Sequence, residues 1–280
     1  MNYIKTGLLL LVLTLLLVWI GSVVGGPRGA LIAFIIAVLI NGISYWYSDR
    51  IILSLYKAHE LSERQFHHLY NLVKELTENA KLPMPRIYMV DNPSANAFAT
   101  GRNPQKACVC VTRGLLELLN EEELKGVLAH ELAHVKNRDT LIMTVTASIA
   151  GAVMMLAYMA RWAAILGGFS RDRRGSGNIV ALLAVSIIAP LAAIIVQLAI
   201  SRSREYSADK QGAYFAKNST GLASALKKLQ NTARTRPMQP QPQTAHLFIV
   251  NPFKRDFITN LFSTHPPTAE RVKRLQRMPL

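Results

Sequence analysis

The chain has 280 residues, of which 50% are hydrophobic, and its formal net charge is +15. Four long stretches contain no Lys, Arg, Asp or Glu: 6–27, 29–48, 140–160 and 175–201. A bilayer core is crossed by about 20 mainly apolar residues in a helix, because lipid offers no hydrogen bonds to the backbone. This distribution argues against an entirely soluble protein and predicts four membrane segments in two pairs.

The first pair predicts a two-helix membrane anchor over residues 1–48. Its helices are separated by the short "GGPRG", and the aromatic run 45–47 followed by Arg50 is typical of the cytoplasmic end of a membrane helix. A cleaved signal peptide is the alternative. However, the apolar run exceeds the about 7–15 residues usual for such a peptide, and a second apolar segment follows at once. The pattern therefore favours a retained anchor.

Residues 49–140 predict the first part of a folded domain that is mainly α-helical with a small β-sheet. Apolar residues at helical spacing predict a helix over about 50–80. Short strands are predicted at 87–90, in "ANAFAT" and in "ACVCVT". The two cysteines of the last strand are poorly placed to form a disulfide with each other. The sequence therefore implies no disulfide framework.

The segment "EEELKGVLAHELAHVKN" predicts a helix that Asn120 caps. His130 and His134 are four residues apart, so both imidazoles lie on one face and can reach one ion. Glu131 follows the first histidine, where its carboxylate can accept a proton from an activated water. This H-E-x-x-H arrangement indicates a zinc site with a glutamate as general base. Two surface histidines on a charged helix are the alternative.

Residues 141–201 predict a hydrophobic helical hairpin. If one metal ligand precedes the hairpin in sequence and another follows it, the chain must return to the side of the membrane from which it started. Both segments of the hairpin therefore span the membrane, or neither does. Its connecting loop carries four arginines, which disfavour transfer away from the cytoplasm. A hairpin that sits shallowly or packs within the fold therefore stays open as an alternative.

Residues 202–280 predict the second part of the folded domain, with helices in "SRSREYSADKQGAYFAKN", in "GLASALKKLQN" and after "THPP". This part contains 14 Lys and Arg against 4 Asp and Glu. It lacks aromatic interleaving and any recognisable nucleic-acid motif, so we predict no nucleic-acid partner. The basic surplus is better suited to the anionic cytoplasmic face of a lipid bilayer.

A catalytic zinc site needs a third protein ligand and an open position for water. After His134 the chain offers two histidines and six carboxylates: His246, His265, Asp139, Asp172, Glu205, Asp209, Asp256 and Glu270. Glu205 and Asp209 are four apart on a predicted helix, so one can ligate while the other holds a ligand histidine. This pairing favours Glu205 as the third ligand. An exposed acidic pair that offsets nearby arginines is the alternative.

Three motifs, "VTRGLLELLNEEELKGVLAHELAHVKNRD", "SRSREYSAD" and "THPPTAERV", resemble the HtpX family of membrane-bound zinc metalloproteases, which are relatives of the CAAX prenyl proteases. The resemblance implies a gluzincin-like metalloprotease domain with one Zn²⁺ per chain. It also implies that the zinc ligands are His130, His134 and Glu205, that Glu131 is the catalytic base, and that Asp209 supports a ligand.

Five further residues are candidates for catalysis or substrate binding. His265 is placed to stabilise an oxyanion, or simply packs beneath the last helix. Arg202 is placed to orient Glu205 or the substrate. Asn96, Ala97 and Phe98 are placed on a strand that could pair with an extended peptide, or that is an ordinary strand of the sheet.

The sequence therefore predicts a multi-pass membrane enzyme with its active site on the cytoplasmic side, and the resemblance implies that this membrane is the cell inner membrane. The resemblance implies that it cleaves misfolded or unfolded membrane and membrane-proximal proteins in quality control and the stress response. Processing of lipidated protein tails is one alternative, and a zinc-stabilised membrane adaptor without turnover is another.

Overall fold

The computed structural model describes residues 2–140, 204–235 and 266–279, together with 157, 158, 161, 184, 186–188 and 249. Two compact units form: Met1–Trp46 with Val145–Ala199, and Tyr47–Thr144 with Ile200–Leu280. The described residues are mostly helical with one small mixed sheet, which confirms the predicted mixture of elements. Almost all of the second hydrophobic pair lies outside the described residues.

Helix α1 (Asn2–Leu55) reverses direction near Gly26, whose φ is +61°. The amide of Asn41 donates to the hydroxyl of Thr14 at 3.2 Å, although a straight helix would separate these residues by about 40 Å. The two arms approach closely where a Cβ on Gly29 would collide with the carbonyl oxygen of Gly21. Residues 2–46 therefore form a helical hairpin.

The hairpin presents apolar side chains outward, including Leu15, Trp19 and Leu39. Among the residues that the structure describes, the helical segment Gly25–Tyr47 is long and apolar enough to cross a membrane, and Thr14–Val23 is a shorter apolar helix. The segment Gly25–Tyr47 includes most of residues 29–48, where the sequence predicts the second membrane helix.

The prediction of one continuous helix over about 50–80 is wrong for residues 56–66. Helix α1 ends at Leu55, and Lys57 then adopts a left-handed φ of 51°. The next residues join the sheet as β1 (His59–Glu60), and helix α2 covers only His67–Ala80. The apolar spacing that predicted the helix begins at Leu69, so it carried no information about residues 56–66.

The sheet contains four strands in the order β1-β2-β4-β3, with β2 at Arg86–Val90, β3 at Ala97–Thr100 and β4 at Cys108–Thr112. Strands β2 and β4 are parallel, whereas β3 runs antiparallel to β4 and lies at the edge. The three strands predicted from sequence are confirmed. Both cysteines of β4 are buried and free.

Helices cover one face of the sheet. After β4 come α3 (Arg113–Leu118) and α4 (Glu121–Asn137), followed by α5 over residues 204–216, α6 (Thr220–Thr235) and α7 (Thr268–Gln276). Asn120 and Glu123 form a reciprocal capping box at the start of α4, as the sequence predicts for the cap. The Glu123 carboxylate also binds Ser224 and Lys228, which ties α4 to α6.

Candidate metal centre

Helix α4 brings His130 and His134 together inside the fold. Both histidines are buried, their rings are nearly perpendicular, and their Nε2 atoms lie 3.2 Å apart. The interpretation of these residues as surface histidines is therefore wrong. Two nitrogens this close in a buried place repel each other unless a proton or a cation lies between them.

Helix α5 approaches α4 closely because Gly212 faces the α4 backbone. A Cβ at this position would lie 2.8 Å from the backbone nitrogen of His130. Glu205 and Asp209 precede Gly212 by about two turns and one turn, so they lie on the same face of α5. Both side chains are buried beside the histidines, which rules out the alternative of an exposed acidic pair.

The carboxylate of Glu205 completes a group of three possible ligands. Its oxygens lie 3.7 Å from Nε2 of His130 and 3.5 Å from Nε2 of His134. One ligand atom from each of the three residues falls within 4.8 Å of the others. Tetrahedral ligands at zinc bond lengths are separated by about 3.3–3.6 Å. The three side chains therefore fit a single metal ion.

The second nitrogen of each imidazole faces a carboxylate. Nδ1 of His130 lies 3.0 Å from Asp209, and Nδ1 of His134 lies 3.1 Å from Asp139. A carboxylate at Nδ1 fixes the ring and leaves Nε2 as the ligand atom, as in many metal sites. Sequence reasoning proposed Asp209 for this role but considered Asp139 only as a possible ligand.

Two arginines in turn bind these carboxylates. Arg204 lies 3.0 Å from Asp139, and Arg271 binds both oxygens of Asp209. The sequence analysis assigned no role to either arginine. The burial of Arg271 could have been predicted, because this residue lies on the same face of α7 as Val272 and Leu275, both of which are buried. An arginine in the apolar stripe of a helix needs a buried acidic partner.

The charges of the centre leave room for a divalent cation. Four buried carboxylates surround the two histidines, those of Glu131, Asp139, Glu205 and Asp209, and two arginines oppose them. When all four carboxylates are ionised and the histidines are neutral, two negative charges remain. A divalent ion would neutralise both.

Burial is the main influence on the pKa values of the centre. Burial raises the pKa of Glu131 to about 7, even though a hydrogen bond from the backbone of Ala99 favours the carboxylate. Burial also lowers the pKa of His130. For His134 the effect of burial is outweighed by Asp139 and Glu205, which raise its pKa to about 10. A proton therefore competes with a cation for the group.

The residues that the sequence proposes for substrate binding lie on strand β3, or, for Asn96, directly before it. Asn96 is buried, and its side chain accepts a hydrogen bond from the backbone of Ile249. Phe98 lies on the face of the sheet that does not carry Ala97 and Ala99, and its ring packs there against Tyr56. Because Thr112 donates to the carbonyl of Asn96, the alternating pattern of an antiparallel pair points the backbone of Ala97 away from β4.

The same alternation points the backbone of Ala99 toward the outer edge of β3, called its free edge here because no strand within the described residues pairs with it. Glu131 accepts a hydrogen bond from this backbone. The free edge therefore borders the metal centre. The two remaining candidates, Arg202 and His265, lie outside the described residues.

The chain is similar to known proteases over most of its length. The model of peptidase family M48 matches residues 63–279. A "Protease HtpX homolog" from Desulforapulum autotrophicum is 53% identical over 276 residues, covering 98% of this chain and 89% of that protein. One from Thermococcus kodakarensis is 51% identical over 277 residues, covering 99% and 96%.

A crystal structure of S. mikatae Ste24p shares the fold, with a TM-score of 0.53 and 20% identity. The match covers 86% of this chain and 57% of that one. The similarity to the two curated proteases confirms the resemblance to the HtpX family. The chain belongs to peptidase family M48 and is a metalloprotease.

Proposed function

We propose that this protein is a membrane-bound zinc endopeptidase that cleaves unfolded or misfolded segments of membrane and membrane-proximal proteins. Zinc is held by His130, His134 and Glu205. The observation that carries the proposal is the convergence of two Nε2 atoms and one carboxylate, with the other nitrogen of each histidine held by a further carboxylate.

Two imidazoles and one carboxylate suit zinc and leave a fourth tetrahedral position open. When bound there, zinc supplies Lewis-acid activation of water, lowering its pKa to about 7, and polarises a carbonyl group. The protein contributes the fixed ring orientations and the buried surroundings.

Glu131 is the general base of the proposed reaction. It follows His130 on α4, and the backbone N–H of Ala99 orients its carboxylate. A carboxylate placed here would accept the proton of the attacking water and then deliver it to the leaving amine. His265 and Arg202 keep the roles proposed from the sequence, stabilising the oxyanion and orienting Glu205 or the substrate.

The free edge of β3 offers a place for the substrate backbone. Peptides that add a strand to a sheet edge are bound mainly through main-chain hydrogen bonds. The backbone of Ala97 points away from β4, and in our proposal it supplies these bonds once substrate gains access to this residue, which is buried in the structure. Recognition of this kind depends little on side chains, so it suits segments that are unfolded rather than segments of one sequence.

The membrane placement is supported by the apolar hairpin of residues 2–46 and by the four uncharged stretches. With Arg50 at the inner end of the first pair, the catalytic residues lie on the cytoplasmic side of the inner membrane. This topology gives a multi-pass protein that meets substrates at the bilayer surface.

The test compares wild type with Glu131→Gln after purification in detergent with a chelator. Zinc is then added back, and cleavage of unfolded casein is measured. We expect zinc-dependent cleavage in wild type and a loss of about 10²–10⁴-fold in the variant, with zinc still bound. Glu122→Gln is the control, because Glu122 is an exposed residue of the same helix.

Each alternative predicts a different result. Cleavage by Glu131→Gln at the wild-type rate would contradict the catalytic role of Glu131. No cleavage by either protein, with zinc bound to both, would favour a narrow substrate requirement or the zinc-stabilised adaptor. Cleavage of a prenylated peptide but of neither casein nor the same peptide without its lipid would favour the processing of lipidated tails.

A further inference from the structure

We propose that Arg204 is a positioning residue of the metal centre, acting through Asp139 on the ligand histidine His134. This inference rests on the proposed zinc site. It adds a residue to which neither the H-E-x-x-H motif nor the pairing of Glu205 with Asp209 assigns a role.

The carboxylate of Asp139 is divided between two partners. Its Oδ2 lies 3.1 Å from Nδ1 of His134, and its Oδ1 lies 3.0 Å from Nη1 of Arg204. Asp139 is 1% exposed, and the Arg204 side chain is 13% exposed. With one oxygen held by the guanidinium, the carboxylate has little freedom to turn away from the imidazole.

The end of helix α4 explains why Asp139 reaches back to His134. The helix ends at Asn137, and Arg138 takes left-handed angles of φ 58° and ψ 30°. This reversal turns the following residue toward the last helical turn, where His134 lies. Thr140 then anchors the chain by donating to the carbonyl of Gly101 at 2.9 Å.

Arg204 is the residue before Glu205, so one turn of α5 supplies both a ligand and the partner of Asp139. The ion pair joins positions 65 residues apart, at the two ends of the hydrophobic segment between the motifs. It therefore fixes the start of the described part of α5 against the end of α4. The contact is therefore linked both to Glu205, through the neighbouring residue Arg204, and to the His134 ring, through Asp139.

Arg204 and Arg271 act on the centre in different ways. Arg271 lies 3.2 Å from a carboxylate oxygen of Glu205, so it contacts a ligand directly. Arg204 reaches the centre through Asp139. Removing Arg204 should therefore loosen the orientation of His134 without removing any ligand atom, and zinc should still bind, but more weakly.

The experiment measures the zinc dissociation constant of Arg204→Met and Asp139→Asn by competition with a chromophoric chelator. We expect zinc binding to weaken by about 10–100-fold in each, as is typical for groups that orient metal ligands. The double variant should bind zinc about as weakly as Asp139→Asn alone, because Arg204 acts through Asp139. Arg204→Lys should restore part of the affinity.

A second readout is the visible absorption spectrum of the cobalt-substituted protein, which reports ligand geometry. The matched control is Lys228→Met, because Lys228 binds the buried Glu123 on the same helix α4, away from the histidines. We expect this control to lower thermal stability while leaving the zinc affinity and the cobalt spectrum unchanged.

The results separate this inference from the proposed function. If Arg204→Met and Arg204→Lys both bind zinc as tightly as wild type and keep its cobalt spectrum, the positioning role is wrong. The positioning role is also wrong if Arg204→Met changes the zinc affinity no more than Lys228→Met does. Both proposals fail if wild type itself binds no zinc.

Discussion

Two guanidinium nitrogens of Arg271 lie 2.7 and 2.8 Å from the two carboxylate oxygens of Asp209, and both side chains are buried. A third nitrogen donates to the carbonyl of Ile249 at 2.8 Å. Asp209 in turn faces Nδ1 of His130. The C-terminal helix α7 therefore completes the surroundings of a histidine on α4.

Replacing Arg271 should damage both stability and zinc binding. In Arg271→Met, the carboxylates of Asp209 and Glu205 lose their buried cation. Removing one partner of a buried ion pair usually lowers the free energy of unfolding by about 3–5 kcal/mol. Arg271→Lys should also be impaired, because an ammonium cannot form the two parallel bonds of the guanidinium. Thermal unfolding and zinc titration measure these effects.

Arg274→Met is the control for Arg271. Arg274 lies one turn later on α7, pairs with Glu270 and stacks over Tyr206 at the surface. Exposed pairs of this kind contribute about 0–1 kcal/mol. Equal effects of the two substitutions would mean that the position of Arg271 in the centre has no special importance.

The candidate site could be predicted where its geometry is local. The spacing of His130 and His134 lies within one helix, so the sequence alone places both rings on one face. Glu205 could be inferred because Asp209 lies one turn away from it. Asp139 could not be assigned to His134, because that contact depends on the left-handed turn at Arg138, and no residue type in the sequence marks that turn.

The fold shows the same division between local and long-range information. The cap at Asn120 and the three short apolar strands follow from short patterns, and the structure confirms them. The helix predicted over about 50–80 fails because β1 exists only through its pairing with β2. A two-residue strand has no pattern of its own, so the sequence offers no sign of it.

Gly212→Ala should weaken the metal centre by separating α5 from α4. The new Cβ would lie 2.8 Å from the backbone nitrogen of His130, and backbone cannot move aside as a side chain can. Overpacking of this kind costs about 1–3 kcal/mol of unfolding free energy. Zinc affinity should fall as well, because Glu205 moves with α5.

Lys210→Ala is the matched control, since Lys210 is an exposed residue of the same helix. Both variants are compared by thermal unfolding and zinc competition. Unchanged zinc affinity in Gly212→Ala would show that the spacing of the two helices does not limit metal binding.

The helical hairpin can be tested by a cross-link between its arms. Thr14 and Asn41 touch through their side chains, so Thr14→Cys with Asn41→Cys should form an intramolecular disulfide on mild oxidation. The natural cysteines, Cys108 and Cys110, are buried and should stay reduced. Mass spectrometry of proteolytic fragments detects the bond.

Leu15→Cys with Asn41→Cys provides the comparison. Leu15 is next to Thr14 in sequence but is 58% exposed and points outward. This pair should not cross-link within one chain. Efficient cross-linking of both pairs, or of neither, would contradict the hairpin geometry.

Glu123 should contribute to stability in a pH-dependent way. Burial disfavours its ionised form, but hydrogen bonds from Lys228, Ser224 and Asn120 outweigh burial and hold its pKa below the ordinary 4.5. Because the folded pKa is the lower one, its contribution is fully present above about pH 4.5 and is lost as the pH falls through the folded value.

Glu123→Gln should therefore be less stable than wild type at neutral pH, and the difference should shrink on acidification. Circular dichroism of thermal unfolding between neutral pH and the acid limit of solubility measures this. A difference that stays constant or grows toward low pH would contradict the lowered pKa of Glu123.

Ala97→Pro tests the role of the edge of β3 in substrate binding. The backbone nitrogen of Ala97 points away from β4, so proline removes a donor to the substrate without removing a bond of the sheet. A lost hydrogen bond of about 0.5–1.5 kcal/mol corresponds to an increase in KM of about 2–10-fold. The zinc dissociation constant should not change.

Ala97→Gly is the comparison, because it keeps the backbone N–H. A peptide that is N-methylated at single positions tests the same contact from the substrate side. If Ala97→Pro folds, binds zinc and shows the KM of Ala97→Gly, then substrates do not pair with this edge. If instead its KM rises and one N-methyl group has a similar effect, the peptide lies as an added strand beside β3, with its backbone beside Glu131.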